Sequence, residues 1–236
     1  MTTTNNTKTI SVVALISALT ATVAFGEAKT TPQVIPPKAM SFGKTYGDWG
    51  AQWWKWALSV PFSQSPVTDP DGRYGSTGQG GPVWFLAGNF GGVTERSITI
   101  PAGKAIFFPL ANFWDDWPCT NTPSFQPAPG QSLEEFLQND IAFYVGFIDS
   151  LGAEIDGVPV GNLFDYRGTS HLTPFIADYS QVAIDPCITG LPQWAVADGY
   201  WLMLAPLRPG EHTIHFTSGI SAFGFTLDVT YHVTVK

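Results

Sequence analysis

The stretch FTLDVTYHVTV near the end of the chain alternates without a break. Phe225, Leu227, Val229, Tyr231, Val233 and Val235 fall on one face. Thr226, Asp228, Thr230, His232 and Thr234 fall on the other. This period of two, rich in β-branched residues, predicts a strand buried on one side. Upstream, LRPGEHTIHFTSG reads as a Pro-Gly turn entering a strand, and GYWLMLAPL is an apolar run of the kind found in central strands. Three strands in succession predict an antiparallel sheet. Earlier, GPVWFLAG reads as a short buried strand, and ERSITIPAGKAIFFPL as a hairpin turning at Pro-Ala-Gly-Lys. QSLEEFLQND predicts a short helix with Ser132 and Glu135 as a capping box, after which IAFYVGFIDS is expected to return to strand.

A different period governs residues 46–61, YGDWGAQWWKWALSVP, where four of the nine tryptophans lie. Thr45 and Asp48 fit a capping box and Pro61 forbids continuation, so a helix is predicted over about 46–59. At about 100° per residue, Tyr46, Trp49, Trp53, Trp54, Trp56, Ala57 and Leu58 cover more than half the circumference. Asp48, Gln52 and Lys55 keep the remaining edge. Such a helix is mostly buried, and its tryptophans are read as core rather than as a sugar platform or a membrane-surface face. With recurrent Gly and Pro from residue 66 onward, the chain is expected to be mainly β. The expected fold is an antiparallel β-sandwich, immunoglobulin-like or jelly-roll-like, with this Trp-rich N-terminal helix and one further short helix.

The four runs YGDWGAQWWKWALSVP, GQGGPVWFLAG, ITIPAGKAIFFPL and DGYWLMLAPLRPGEHTIHF, in this order, resemble an uncharacterised family of secreted bacterial proteins. The likeness covers residue 43 to the end and implies export, with no activity attached. Separately, the stretch around Leu207–Ile214 is similar to the corner before a late strand of immunoglobulin-like sandwiches, where a tyrosine stands in place of His212.

The N-terminus adds a compartment. One lysine, Lys8, precedes an apolar run from Ile10 to Phe25, and small residues follow near Gly26 and Ala28. This is the layout of a cleaved signal peptide over residues 1–26, the run being short for a bilayer span of ~20 residues. Residues 27–42 then form an extended approach segment and residues 43–236 a single domain. A secreted or periplasmic location follows, with no transmembrane segment in the mature chain. Export makes a disulfide the default for the two cysteines, Cys119 and Cys187. The chain carries 19 acidic against 11 basic residues, a poor balance for nucleic-acid binding.

Candidate chemistry is sparse. The four histidines do not converge, and His232 is expected far from His215 along a terminal hairpin, so no metal site is read and no cofactor is implied. Asp69 and Asp71 in TDPDGRYG read as a turn rather than a calcium loop. In NFWDDWPC, Trp114, Asp115, Asp116 and Trp117 sit on an expected loop beside a cysteine, where acids and aromatics could hold a sugar ring. Tyr166, Arg167 and His171 form a second candidate patch, in which Arg167 is expected to pair with Asp165 or an acidic ligand. The reading is an exported protein with a non-enzymatic ligand-binding, partner-binding or structural role, a glycan or another extracellular protein being the candidate partner. The alternative is a carbohydrate-active or other hydrolase using scattered carboxylates such as Asp115, Asp116 or Glu95. A third idea is peripheral attachment through exposed tryptophans.

Overall fold

In the computed structural model, Met1 and residues 33–236 are described; the rest of the expected signal peptide and the start of the expected approach segment lie outside the described residues. The fold is mainly β. Two five-stranded sheets enclose one core, with two helices on the flanks of the first sheet. The first sheet contains β1 (Val83–Phe85), β3 (Ala105–Trp117), β8 (Gln193–Leu204), β6 (Arg167–Thr169) and β7 (Thr173–Phe175). Its order is β1-β3-β8-β6, with β7 also paired to β8. The second runs β2-β10-β9-β4-β5, formed by β2 (Gly92–Ile100), β10 (Phe225–Val235), β9 (Gly210–Ile220), β4 (Ser150–Ile155) and β5 (Val158–Pro159). Phe108 of the first sheet meets Phe216 of the second, ring centroids 5.1 Å apart, at the centre of the core they share.

Pairing is antiparallel except at two places: β1 with β3, and β2 with β10, are parallel. The expected hairpin over residues 95–110 is therefore not one. β2 and β3 are joined by the short turn at Pro101–Lys104 but enter different sheets. Their burial shows why. β2 buries alternate residues, as an edge strand with one face on the core does, whereas Ala105–Ala111 is buried on both faces between the second sheet and a helix. The terminal trio divides in the same way. β9 and β10 form the expected hairpin, while β8 is central to the first sheet.

The first helix, α1, spans Tyr46–Ser59 with both halves of the Thr45–Asp48 capping box formed. Trp49, Trp53 and Trp56 are core, and each donates its indole N–H to a carbonyl, of Ser41, Leu86 and Thr77 respectively. Trp194 is the one exposed tryptophan among the described residues, so these offer no cluster of exposed tryptophans for the attachment idea. The second helix, α2, starts at the expected cap but runs from Leu133 to Val145, through the segment expected to be strand. Leu137, Ile141 and Val145, spaced by four, are its buried stripe. Buried Arg96 ties the loop before β1 to the second sheet. It donates to the carbonyls of Val67, Asp69, Ala87 and Gly88 and to the Tyr231 hydroxyl. Asp69 caps a turn by accepting from the N–H groups of Asp71 and Tyr74, as the turn reading expects. Cys119 and Cys187 are bonded to each other. Among the described residues, no helix is long and apolar enough to cross a membrane.

Candidate functional site

Asp115 and Asp116 lie not on a loop but in the last third of β3, so the pleat sends their side chains to opposite faces. Asp115 turns toward α2 and faces Asp140. Asp116 turns toward the disulfide loop and faces Asp185, while Gln193 donates its amide N–H to the Asp116 carboxyl at 2.8 Å. Burial, reinforced by the facing acid in each case, pushes both Asp115 and Asp116 up to about 8. Asp185 is raised as well, chiefly by burial. Each pair therefore holds a proton near neutrality. The Asp116 and Asp185 oxygens and the Cys187 sulfur lie within 4.8 Å of one another. That sulfur is committed to the disulfide, so no thiolate is present to complete a metal set.

The other candidates scatter. Trp114 packs on the α1 side, stacked on Trp54 with centroids 5.9 Å apart and edge-on to Phe175. Trp117 lies on the opposite side, against the α2 cluster. Arg167 pairs not with Asp165 but, through two bonds of 3.1 and 2.6 Å, with Asp198, an acid whose side chain is fully buried. Tyr166 leans on Tyr46 of α1. His171 is exposed and bonds Glu134 of α2 at 2.9 Å. The seven residues therefore do not line one cleft.

The histidines also need correcting. β9 pairs with β10 so that His215 faces Thr230 and His232 faces Thr213, which makes the two histidines diagonal neighbours on one sheet face. Each still takes its own carboxylate, His215 that of Asp228 and His232 that of Glu95, with Asp156 serving His212. His212 also bonds the Arg208 carbonyl, four residues upstream, at 2.9 Å. A corner tyrosine hydroxyl makes this kind of contact in immunoglobulin-like sandwiches.

A cavity lies elsewhere, beside the part of β3 that has only one strand partner. β1 pairs with β3 only along Ala105–Phe107. Beyond that, β3 bulges between Pro109 and Ala111, and its outer edge from Pro109 to Trp114 borders an apolar cavity of about 500 Å³. Proline has no N–H to give a neighbouring strand and is confined to edges and bulges, so Pro109 both permits and marks this opening. Trp53 and Trp54 of α1 form one wall, Ser218 and Leu227 of the second sheet another, and Ile184–Pro186 a third. The Cys119–Cys187 bond holds that third wall to the end of β3. Asp185 is the one charged residue of the lining, and Trp114 is the one sequence candidate in it.

No family model, curated protein or solved structure matches this chain. The site must be read from its own chemistry. Four residues of the lining carry a buried polar atom that lacks a hydrogen-bond partner among the described residues: the indole nitrogens of Trp54 and Trp114, the side-chain oxygen of Asn112 and the hydroxyl of Ser218. Trp84 also has an unmet indole N–H, but it does not line the cavity. An unmet buried polar group costs about 1–3 kcal/mol, and four of the eight such atoms among the described residues belong to the lining. The wall offers donors and acceptors within an otherwise greasy surface, the make-up of small-molecule sites. Sequence reasoning misses it because its walls come from six separate segments; Pro109 within an apolar strand is the local signal available.

Proposed function

We propose that this is an exported binding protein that holds one small, mostly apolar molecule in the cavity beside β3. Export rests on the N-terminal pattern, the motif resemblance and the disulfide, which suits an oxidising compartment. The observation that carries the binding reading is the cavity itself: about 500 Å³, apolar, with four residues in its lining whose buried polar atoms lack a partner among the described residues. Small rotations of those side chains would let a hydroxyl or carbonyl group on an otherwise apolar ligand meet the four atoms, and the lack of any lysine or arginine in the wall disfavours an anionic ligand. Titration with the neutral fluorophore N-phenyl-1-naphthylamine tests this. Saturable one-to-one uptake with quenching of the wall tryptophans is expected, and Asn112→Trp, which places an indole at the cavity, should abolish it. Uptake that fails to saturate, or that survives in the variant, would refute the assignment.

The Asp116–Asp185 pair favours a second reading, hydrolysis, because two carboxyls sharing a proton beside a cavity can act as acid and base. Asp116→Asn separates the two readings: a binding protein keeps its ligand uptake, whereas a hydrolase loses turnover on a broad ester and glycoside panel.

A further inference from the structure

Four large apolar side chains near the cavity are at least two-fifths exposed: Phe90 at 54%, Phe143 at 65%, Tyr144 at 40% and Phe223 at 58%. Isolated exposed aromatics are ordinary, but contiguous ones mark an interaction surface. Three of them, Phe143, Tyr144 and Phe223, are contiguous through Phe147. Phe113 contacts Tyr144 with centroids 5.9 Å apart, Tyr144 contacts Phe143 at 5.5 Å, Phe143 contacts Phe147 at 5.0 Å, and Phe147 contacts Phe223 at 5.1 Å. The chain of rings starts at Phe113 and ends at Phe223, and both of these line the cavity, as does Phe90. Two elements remote in sequence, the last turn of α2 and the turn that joins β9 to β10, thus bring their aromatics to the margin of one hollow.

We infer that this aromatic rim docks on a neutral lipid surface, from which the cavity takes up a single lipid-like molecule. The inference rests on the cavity reading above and adds the ligand class and its source. Three observations select this occupant. The rim is continuous with an apolar cavity, and a molecule suited to that cavity resides in a lipid phase, so docking spares it a passage through water. No residue of the rim is charged, and the lining has one acid and no base, so anionic headgroups find no cation here. Tyr144 provides the amphipathic ring that sits well at a membrane–water boundary. A second copy seated on the rim would instead close off the cavity, which gives the alternative a separate signature.

The test uses the purified exported protein and the double variant Phe143→Gln, Tyr144→Gln, two rim residues outside the cavity lining. Vesicles of pure phosphatidylcholine, and of phosphatidylcholine with phosphatidylglycerol, are floated with each protein. Wild type is expected to co-float with the neutral vesicles, equally well in high salt, and the double variant to bind them roughly tenfold less or weaker still. Naphthylamine uptake in solution should be unchanged in the variant, which also shows that it is folded. No co-flotation with neutral vesicles, equal flotation of the variant, or a salt-sensitive preference for the anionic vesicles would overturn the docking inference. So would a concentration-dependent dimer that the double variant abolishes. If flotation depends on the rim while wild type takes up no fluorophore, the cavity reading fails instead, and with it the claim of lipid uptake.

Discussion

Gly47→Ala pits two effects of opposite sign against each other. Gly47 lies within the first turn of α1, where alanine is the better helix former by about 1 kcal/mol. By local propensity alone the change should stabilise the protein. Tertiary contact says the reverse. A Cβ at Gly47 would lie 2.0 Å from the carbonyl oxygen of Thr169 and 2.7 Å from the nitrogen of Ser170, both backbone atoms. The approach is mutual, since a Cβ at Gly168 would lie 2.7 Å from the Gly47 nitrogen. Helix and strand backbones touch here with no side chain between them. To restore contact distance the helix must retreat by about 1 Å or more. Retreat strains the Tyr46 hydroxyl, which donates to the Ile35 carbonyl at 2.6 Å and accepts from the Met203 N–H at 3.1 Å. It also loosens Trp49 and Trp53 in the core. Overpacking a tight site costs about 1–3 kcal/mol, and an obstacle made of paired backbone belongs at the upper end. Net of the propensity gain, Gly47→Ala should lose about 2 kcal/mol. Urea denaturation followed by tryptophan fluorescence measures this directly. An unchanged or raised stability would show that α1 is free to shift on β6, and would undo the rigid docking described for it.

Two further outcomes follow from the end of β3. Asp115 and Asp116 have folded pKa values raised to about 8, above those of unfolded aspartate. The folded chain therefore holds more protons than the unfolded chain in this interval, and stability should fall as pH rises from 5 to 8, then level off. Asp116→Asn, whose amide can donate to Asp185 as the protonated acid does, should flatten that slope and gain on the order of 1 kcal/mol at pH 8; urea midpoints with the same pH slope as wild type would refute the shared proton. Reducing Cys119–Cys187, which closes a separation of 68 residues, should cost about 4 kcal/mol on the chain-entropy model. It should also weaken fluorophore uptake by freeing the Ile184–Pro186 wall, and uptake unaffected by reduction would show that this wall is held by other contacts.

What could be read in advance divides by range. The capping box and apolar arc of α1 are local, and both appear as expected. The one-faced strand at the C-terminus is equally local. The segment from Ile141 to Val145 misleads because a short apolar run fits strand and buried helix alike; the four-residue spacing of Leu137, Ile141 and Val145 settles it as helix. The turn at Pro101–Lys104 misleads because a short connection can fold a hairpin or cross between sheets. Only the two-faced hydrophobicity of AIFFPLA against the alternation of ERSITI separates the cases. The sequence suggests a loop for Asp115 and Asp116, where neighbours can share a ligand. On a strand they cannot, and each meets a different acid from a distant element.

The tryptophans carry the distinction between core and site further than hydrophobicity does. By size and apolar character the four rings of α1 are alike, and a helical wheel places them all on the buried arc. Hydrogen bonding separates them. The N–H groups of Trp49, Trp53 and Trp56 are each met by a carbonyl within 2.8 Å, as a settled core requires. Trp54, one residue beyond Trp53, stacks on Trp114, and neither of these two indole nitrogens has a partner among the described residues. Two unmet donors on stacked rings of the lining, beside a strand whose edge is left open by Pro109, fit the ligand reading proposed above. The Trp54→Phe, Trp114→Phe pair gives that logic its sharpest form: the double variant should be at least as stable as wild type yet bind an oxygen-bearing apolar ligand more weakly.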